Sequence, residues 1–141
     1  MLIQKKAKRV HQSYIRAGSQ TLVSGFYMRL MDADPEIRKK FKGMDMEAQA
    51  SLLSHAIVMS FLFVDENQHV AKKCLDSVRE THAQHSLNIA PELYDTWLEC
   101  LLATVALCDP HANDALLSDW HDVMSVAIDH IREGFNSPQK T

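Results

Sequence analysis

Glycine and proline are scarce in this chain, and their positions fit helix ends. Four glycines and four prolines occur among 141 residues, and three of the prolines stand where a helix would begin. A chain of many strands needs turns, and turns depend on these two residues. The sequence therefore predicts an all-helical protein, with a single domain spanning residues 1–141.

Apolar residues at helical spacing divide the chain into six or seven helices. Gly18 ends the first helix, and Ser19 is predicted to cap the second. Asp34 followed by Pro35 predicts a cap and first turn for a short third helix, and Asp45 opens the fourth. The predicted helices cover about residues 2–17, 19–32, 35–41, 45–64, 70–82, 91–107 and 113–133.

Charge, cysteine content and hydropathy exclude several classes of protein. The formal net charge is −3, with acidic and basic residues interspersed, so we expect no nucleic-acid partner. Cys74, Cys100 and Cys108 lie within helical patterns without metal-site spacing, which favours free thiols in a reducing compartment. The N-terminus lacks the apolar core of a signal peptide, and no run approaches 18 apolar residues. We therefore expect a cytoplasmic protein without a membrane partner.

Two histidines mark the end of the fifth predicted helix, in the segment RETHAQHSLNIAPELYDTW. The apolar stripe formed by Leu75 and Val78 continues directly to His82, whereas His85 follows three residues later. A neutral imidazole at the end of such a stripe can present one nitrogen to a metal while its other ring N–H donates to a fixed acceptor. These two histidines are the candidate ligands.

Four segments along most of the chain resemble one protein family. FYMRLMDADPEIRKKF is similar to the second and third helices of bacterial single-domain globins and of the globin domain of flavohaemoglobins. QASLLSHAI resembles the distal helix of those proteins, and IAPELY with LLATV resembles the start of their penultimate helix. The resemblance implies a globin fold of six to seven helices around a pocket for haem b.

The resemblance implies roles for four residues on the distal side of a haem. Phe41 would wedge against the macrocycle, and Leu53 would form an apolar wall. Tyr27 and Gln49 would line the distal ligand pocket and donate hydrogen bonds to dioxygen. If the distal helix were rotated, His55 would enter the pocket in place of Gln49.

On the proximal side, the family pattern and the helical phase give different information. The family places its ligand seven residues before the proline, whereas His85 lies six and His82 nine residues before Pro91. Helical phase favours His82 as the metal ligand, with His85 as the alternative. Apolar haem contacts are predicted from Val78 and Ile89, and the resemblance implies that Tyr94 and Glu133 orient the proximal histidine.

The resemblance implies reversible binding of dioxygen, nitric oxide and carbon monoxide at ferrous haem, for oxygen binding or transport, or for nitric oxide detoxification. The 141 residues carry no dinucleotide-binding fingerprint, so nitric oxide dioxygenase activity would use an external reductase. A globin-type gas-sensing module is the alternative, with Trp120 on a homodimer face. A helical bundle that binds no haem is the third hypothesis.

Overall fold

The computed structural model describes residues 2–65 and 67–138 of the chain. Within these ranges the protein consists of helices joined by short turns, without strands. The prediction of an all-helical chain with six to seven helices is therefore confirmed. The helices are α1 (Leu2–Ala17), α2 (Ser19–Ala33), α3 (Pro35–Phe41), α4 (Met46–Phe63), α5 (His69–His82), α6 (Leu93–Cys108) and α7 (Asp114–Arg132).

The starts of α3, α4 and α7 follow from local capping chemistry. Asp34 Oδ1 accepts a hydrogen bond from the backbone N–H of Glu36 at 2.8 Å, and Pro35 is the first residue of α3. Asp45 caps α4 in the same way. Each carboxylate satisfies N–H groups that have no partner inside the helix, as the sequence predicts.

Several helix starts differ from the predictions by one or two residues. Gly18, with φ of 84°, occupies the N-cap position of α2, so Ser19 is the first helical residue rather than the cap. Helix α6 begins at Leu93 rather than at Pro91 because residues 90–94 form tight turns, with Leu93 N donating to Ala90 O at 3.0 Å. Such short-range turns often precede a regular helix.

The core lies where α1 packs on α7 and α2 packs on α6. Trp120 of α7 has no exposed surface, and its Nε1 donates to Ser13 Oγ of α1 at 3.0 Å. The prediction that Trp120 contributes to a homodimer face is therefore wrong. The apolar spacing of α7 identified Trp120 as a packing residue but could not show which surface covers it.

A buried ion pair joins α1 to the end of α6. The Asp109 side chain is fully buried, accepts hydrogen bonds from Arg16 Nε and Nη2 at 2.9 Å each, and accepts another from Ser13 Oγ at 2.5 Å. The Arg16 guanidinium is the largest cause that lowers the pKa of Asp109 to about 2. This carboxylate therefore stays charged in the folded protein over the whole physiological range.

Replacing Asp109 with alanine is expected to lower the free energy of unfolding by about 3 kcal/mol, because Arg16 and Ser13 lose a buried partner. Urea unfolding at pH 7 measures this change. The stabilisation by Asp109 is present above the pKa of an unfolded aspartate, near 4, and decreases as pH falls toward the folded value of about 2. The stability difference between the two proteins should therefore shrink between pH 5 and pH 3, and a constant difference would contradict this role.

Helix α4 is more apolar than its few buried residues require. Its 18 residues have a mean hydropathy of 1.2, so by length and composition alone it is long and apolar enough to cross a membrane. It is not an uninterrupted apolar run, because Glu47, Gln49 and His55 lie within it. In this fold α4 packs against α5 and α7, and its buried residues are Ile57, Ser60 and Phe61. Much of its remaining apolar surface faces the cavity described next.

Candidate functional site

A cavity of about 650 Å³ lies among the helices, with walls formed by α2 to α7 and by the loop after α5. This volume is in the range of small-molecule and cofactor sites. Most lining side chains are aliphatic, aromatic or methionine, and no lining residue is acidic in the part of the chain that the structure describes. Of the sequence-predicted site residues, those that line the cavity are Tyr27, Phe41, Gln49, Leu53, Val78, His82, Ile89 and Tyr94.

His82 is the last residue of α5, and its imidazole lines the cavity. Thr81 Oγ1 donates to the Val78 carbonyl at 3.1 Å, and His82 Nδ1 lies 3.1 Å from the same Oγ1. When the ring proton is on Nδ1, the hydroxyl oxygen accepts from Nδ1–H and Nε2 keeps a free lone pair. Burial lowers the pKa of His82, although the Val78 carbonyl opposes this shift. A neutral ring with a free Nε2 is the form that binds a metal.

His85 differs from His82 in position and partner. It does not line the cavity, and its Nε2 lies 3.6 Å from Glu80 Oε1. Glu80 is on the same segment, so this contact turns the imidazole toward a carboxylate rather than toward the apolar walls. The geometry therefore favours His82 over His85 as the residue that can reach a ligand in the cavity.

The loop after α5 accounts for the unusual distance between His82 and Pro91. Ile89 N donates back to the His82 carbonyl at 3.1 Å, and Asn88 N donates to the Ala83 carbonyl at 2.9 Å. Asn88 adopts a positive φ of 58°, a conformation that asparagine tolerates better than most residues. Residues 83–88 thus form a compact turn that begins and ends beside His82, and the additional residues do not separate it from Ile89.

Tyr27, Phe41 and Gln49 meet at the end of the cavity near α2 and the start of α4. Tyr27 Oη donates to the backbone carbonyl of Gln49 at 3.1 Å, and the Tyr27 and Phe41 rings pack edge to face with centroids 5.6 Å apart. Burial raises the pKa of Tyr27 to about 12, so its hydroxyl remains a hydrogen-bond donor at any physiological pH. The carbonyl partner could not be predicted from the sequence, because it depends on how α2 crosses α4.

Tyr94 and Glu133 lie in different environments. Tyr94 is buried at the start of α6 and lines the cavity, with the Arg132 guanidinium carbon 6.0 Å from its ring centroid. Burial raises the pKa of its hydroxyl. Glu133 is exposed, forms the C-cap of α7 and does not line the cavity. Of the two residues predicted to orient the proximal histidine, only Tyr94 is therefore brought to the cavity wall.

Several cavity residues were not identified from the sequence. The residues missed are Lys40, Met44, Cys74 and Trp97, all of which line the cavity. The apolar pattern of the sequence identified only some of the positions that face the cavity. Trp97 packs edge to face against Phe26, with ring centroids 5.1 Å apart. Lys40 carried no signal, since a lysine in a charged helix end is usually solvated.

His55 lines the cavity as well as Gln49, although it is exposed. The two residues lie six positions apart on α4, and Leu52, Leu53 and Ala56 of the same helix also line the cavity. Gln49 is half-buried and His55 is exposed, so both residues reach the cavity from the same helix.

Comparison with known proteins gives a consistent family result. A family model described as Globin matches residues 24–131. The structure is also similar to the crystal structure of a Pseudomonas aeruginosa PAO1 protein described as structurally highly homologous to a human hemoglobin. That similarity has a TM-score of 0.86 and 34% sequence identity, and covers 94% of this chain and 99% of the other. Comparison with curated proteins gave no match.

Proposed function

Because the chain belongs to the globin family, we propose that it binds haem b and, through it, dioxygen and other diatomic gases reversibly. The predicted globin fold is confirmed by the same comparisons. The single observation that carries the proposal is the imidazole of His82 on the wall of a large, mostly apolar cavity.

The residues around the cavity fit a haem in shape and chemistry. A porphyrin is a flat apolar body, and the walls offer aliphatic and aromatic surfaces such as Phe41, Leu53 and Val78. His82 would hold the iron through Nε2, because hydrogen bonding at Nδ1 fixes the ring and increases its basicity. When bound, haem supplies a ferrous iron that binds diatomic gases.

Tyr27, Gln49 and Leu53 would form the pocket in which the gas lies. The Tyr27 hydroxyl stays protonated and can turn from the Gln49 carbonyl toward a polar gas molecule. The Gln49 side chain adds a second donor, and Leu53 excludes water from the pocket. A donor beside a gas that accepts charge slows its release, so this arrangement supports tight dioxygen binding.

The physiological use that we propose is oxygen binding or transport in the cytoplasm, or nitric oxide detoxification with an external reductase. The gas-sensing alternative depended in part on Trp120 as a contact surface for a second copy. Trp120 is instead enclosed by the core, so the observations favour gas binding as the primary function.

A spectrum of the purified protein tests the proposal directly. After expression with ample haem, we expect a coloured protein with a sharp Soret band that shifts on reduction and again on addition of carbon monoxide. Such shifts report a ligand entering the iron site. A colourless protein that also takes up no added haem would contradict the proposal and favour a helical bundle without a cofactor.

A further inference from the structure

Lys40 connects two parts of the cavity entrance. It lies in α3 directly before Phe41, is half-buried and lines the cavity. Its Nζ donates to the backbone carbonyl of Leu87 at 3.1 Å, in the turn of residues 83–88 that follows His82. Leu87 lines the cavity too and is 41% exposed, so this contact lies at the boundary between the cavity and solvent.

The charged side chains that line the cavity are of one sign, in the residues that the structure describes. In the part of the chain that the structure describes, Lys40 is the only lysine or arginine among the lining residues, and none of them is acidic. The partner of the Lys40 ammonium is a neutral carbonyl. A carboxylate is a stronger acceptor for an ammonium than a carbonyl, so Lys40 can still bind an anion more strongly than its present partner. The cavity therefore suits an apolar molecule that carries a negative charge at one end.

Other polar groups of the same wall are less available to an anion. The Thr81 hydroxyl already donates to the Val78 carbonyl, and His82 Nδ1 lies 3.1 Å from the same hydroxyl oxygen. Lys39, next to Lys40, is turned outward and pairs with Glu36 at 3.1 Å. Of the two lysines at the end of α3, only Lys40 lines the cavity.

We propose that Lys40 binds a carboxylate of the macrocycle, so that the carboxylate end of the porphyrin lies between α3 and the turn of residues 83–88. This inference rests on the haem function proposed above and adds an orientation and an anchoring residue to it. Lys40 exchanges or shares its Leu87 contact when the carboxylate enters. The same residue then fixes both the bound molecule and the loop that leads away from His82.

The rate of haem loss tests this inference in the intact chain. Apoprotein is loaded with haem or with its dimethyl ester, and transfer to an excess of a haem-scavenging apoprotein is followed by absorbance. Lys40→Met, which keeps the length of the side chain, is expected to release haem about three- to tenfold faster than wild type, as for loss of a partly solvated ion pair. Lys39→Met is the matched control and should release haem at the wild-type rate.

The ester distinguishes a carboxylate contact from a loop contact. Wild type and Lys40→Met should release the dimethyl ester at the same rate, and Lys40→Arg should restore slow release of haem. Equal haem loss from wild type and Lys40→Met overturns the inference, and so does an equal acceleration with the ester, which would show that Lys40 only holds the loop. A wild-type chain that takes up neither compound overturns the haem function itself.

Discussion

Replacing His82 with alanine is expected to weaken haem binding by more than about a hundredfold. Loss of residues that only orient a metal ligand costs about ten- to a hundredfold in affinity, and loss of the ligand itself should cost at least as much. Titration of apoprotein with haem, followed at the Soret band, measures the change. Residual haem should show a ferrous spectrum different from that of wild type, since the axial nitrogen is gone.

His85→Ala is the matched control for this experiment. His85 lies on the same segment but outside the cavity, beside Glu80, so its replacement should leave both affinity and spectrum close to wild type. Circular dichroism of both apoproteins checks that α5 is retained. If His82→Ala bound haem with an unchanged ferrous spectrum while His85→Ala did not, the assignment of the ligand would be reversed.

Replacing Tyr27 with phenylalanine is expected to speed dioxygen release about five- to tenfold. A hydrogen bond to a charged acceptor contributes about 1.5–3 kcal/mol, but Tyr27 must give up its bond to the Gln49 carbonyl, and a neutral hydrogen bond is worth about 0.5–1.5 kcal/mol. The difference is about 1 to 1.5 kcal/mol, and 1.4 kcal/mol corresponds to tenfold. Stopped-flow mixing of the oxygenated protein with a dioxygen scavenger measures the release rate.

Two comparisons isolate the contribution of the Tyr27 hydroxyl. Carbon monoxide is a poorer hydrogen-bond acceptor, so its release should change much less in the same variant. Tyr14→Phe removes a hydroxyl that bonds Ser54 outside the cavity lining and should leave dioxygen release unchanged. An unchanged dioxygen rate in Tyr27→Phe would exclude the distal role of this residue.

The helices could be predicted from the sequence because their ends depend on neighbouring residues. The Asp34–Pro35 pair and Asp45 act on backbone groups two or three positions away, and such local signals are visible in a linear pattern. Tyr27 and Gln49 could be selected because they match segments of a known family, and His82 because it continues an apolar helical stripe. That these three residues line the same cavity depends on how the helices pack in the fold.

The unpredicted features depend on contacts between segments that are distant in sequence. Lys40 meets Leu87 across 47 positions, and Tyr27 meets the Gln49 carbonyl across 22. Every residue has a backbone carbonyl, so the sequence could not show which carbonyl would accept the hydrogen bond from Lys40 or from Tyr27. The packing partner of Trp120 could not be predicted for a similar reason, because apolar periodicity marks a buried face but does not show which helix packs against it.

The turn of residues 83–88 starts and finishes at almost the same place, because the N–H of Ile89 returns to the carbonyl of His82. Its length is thereby uncoupled from the positions of the histidine and of α6. Residues inserted at its exposed outer edge, near His85 and Ser86, would lengthen the loop while its two ends stay in place. A longer loop costs little additional conformational entropy. This edge is therefore a natural site for length variation among related chains, and for grafting a reporter peptide beside the cavity without moving its walls.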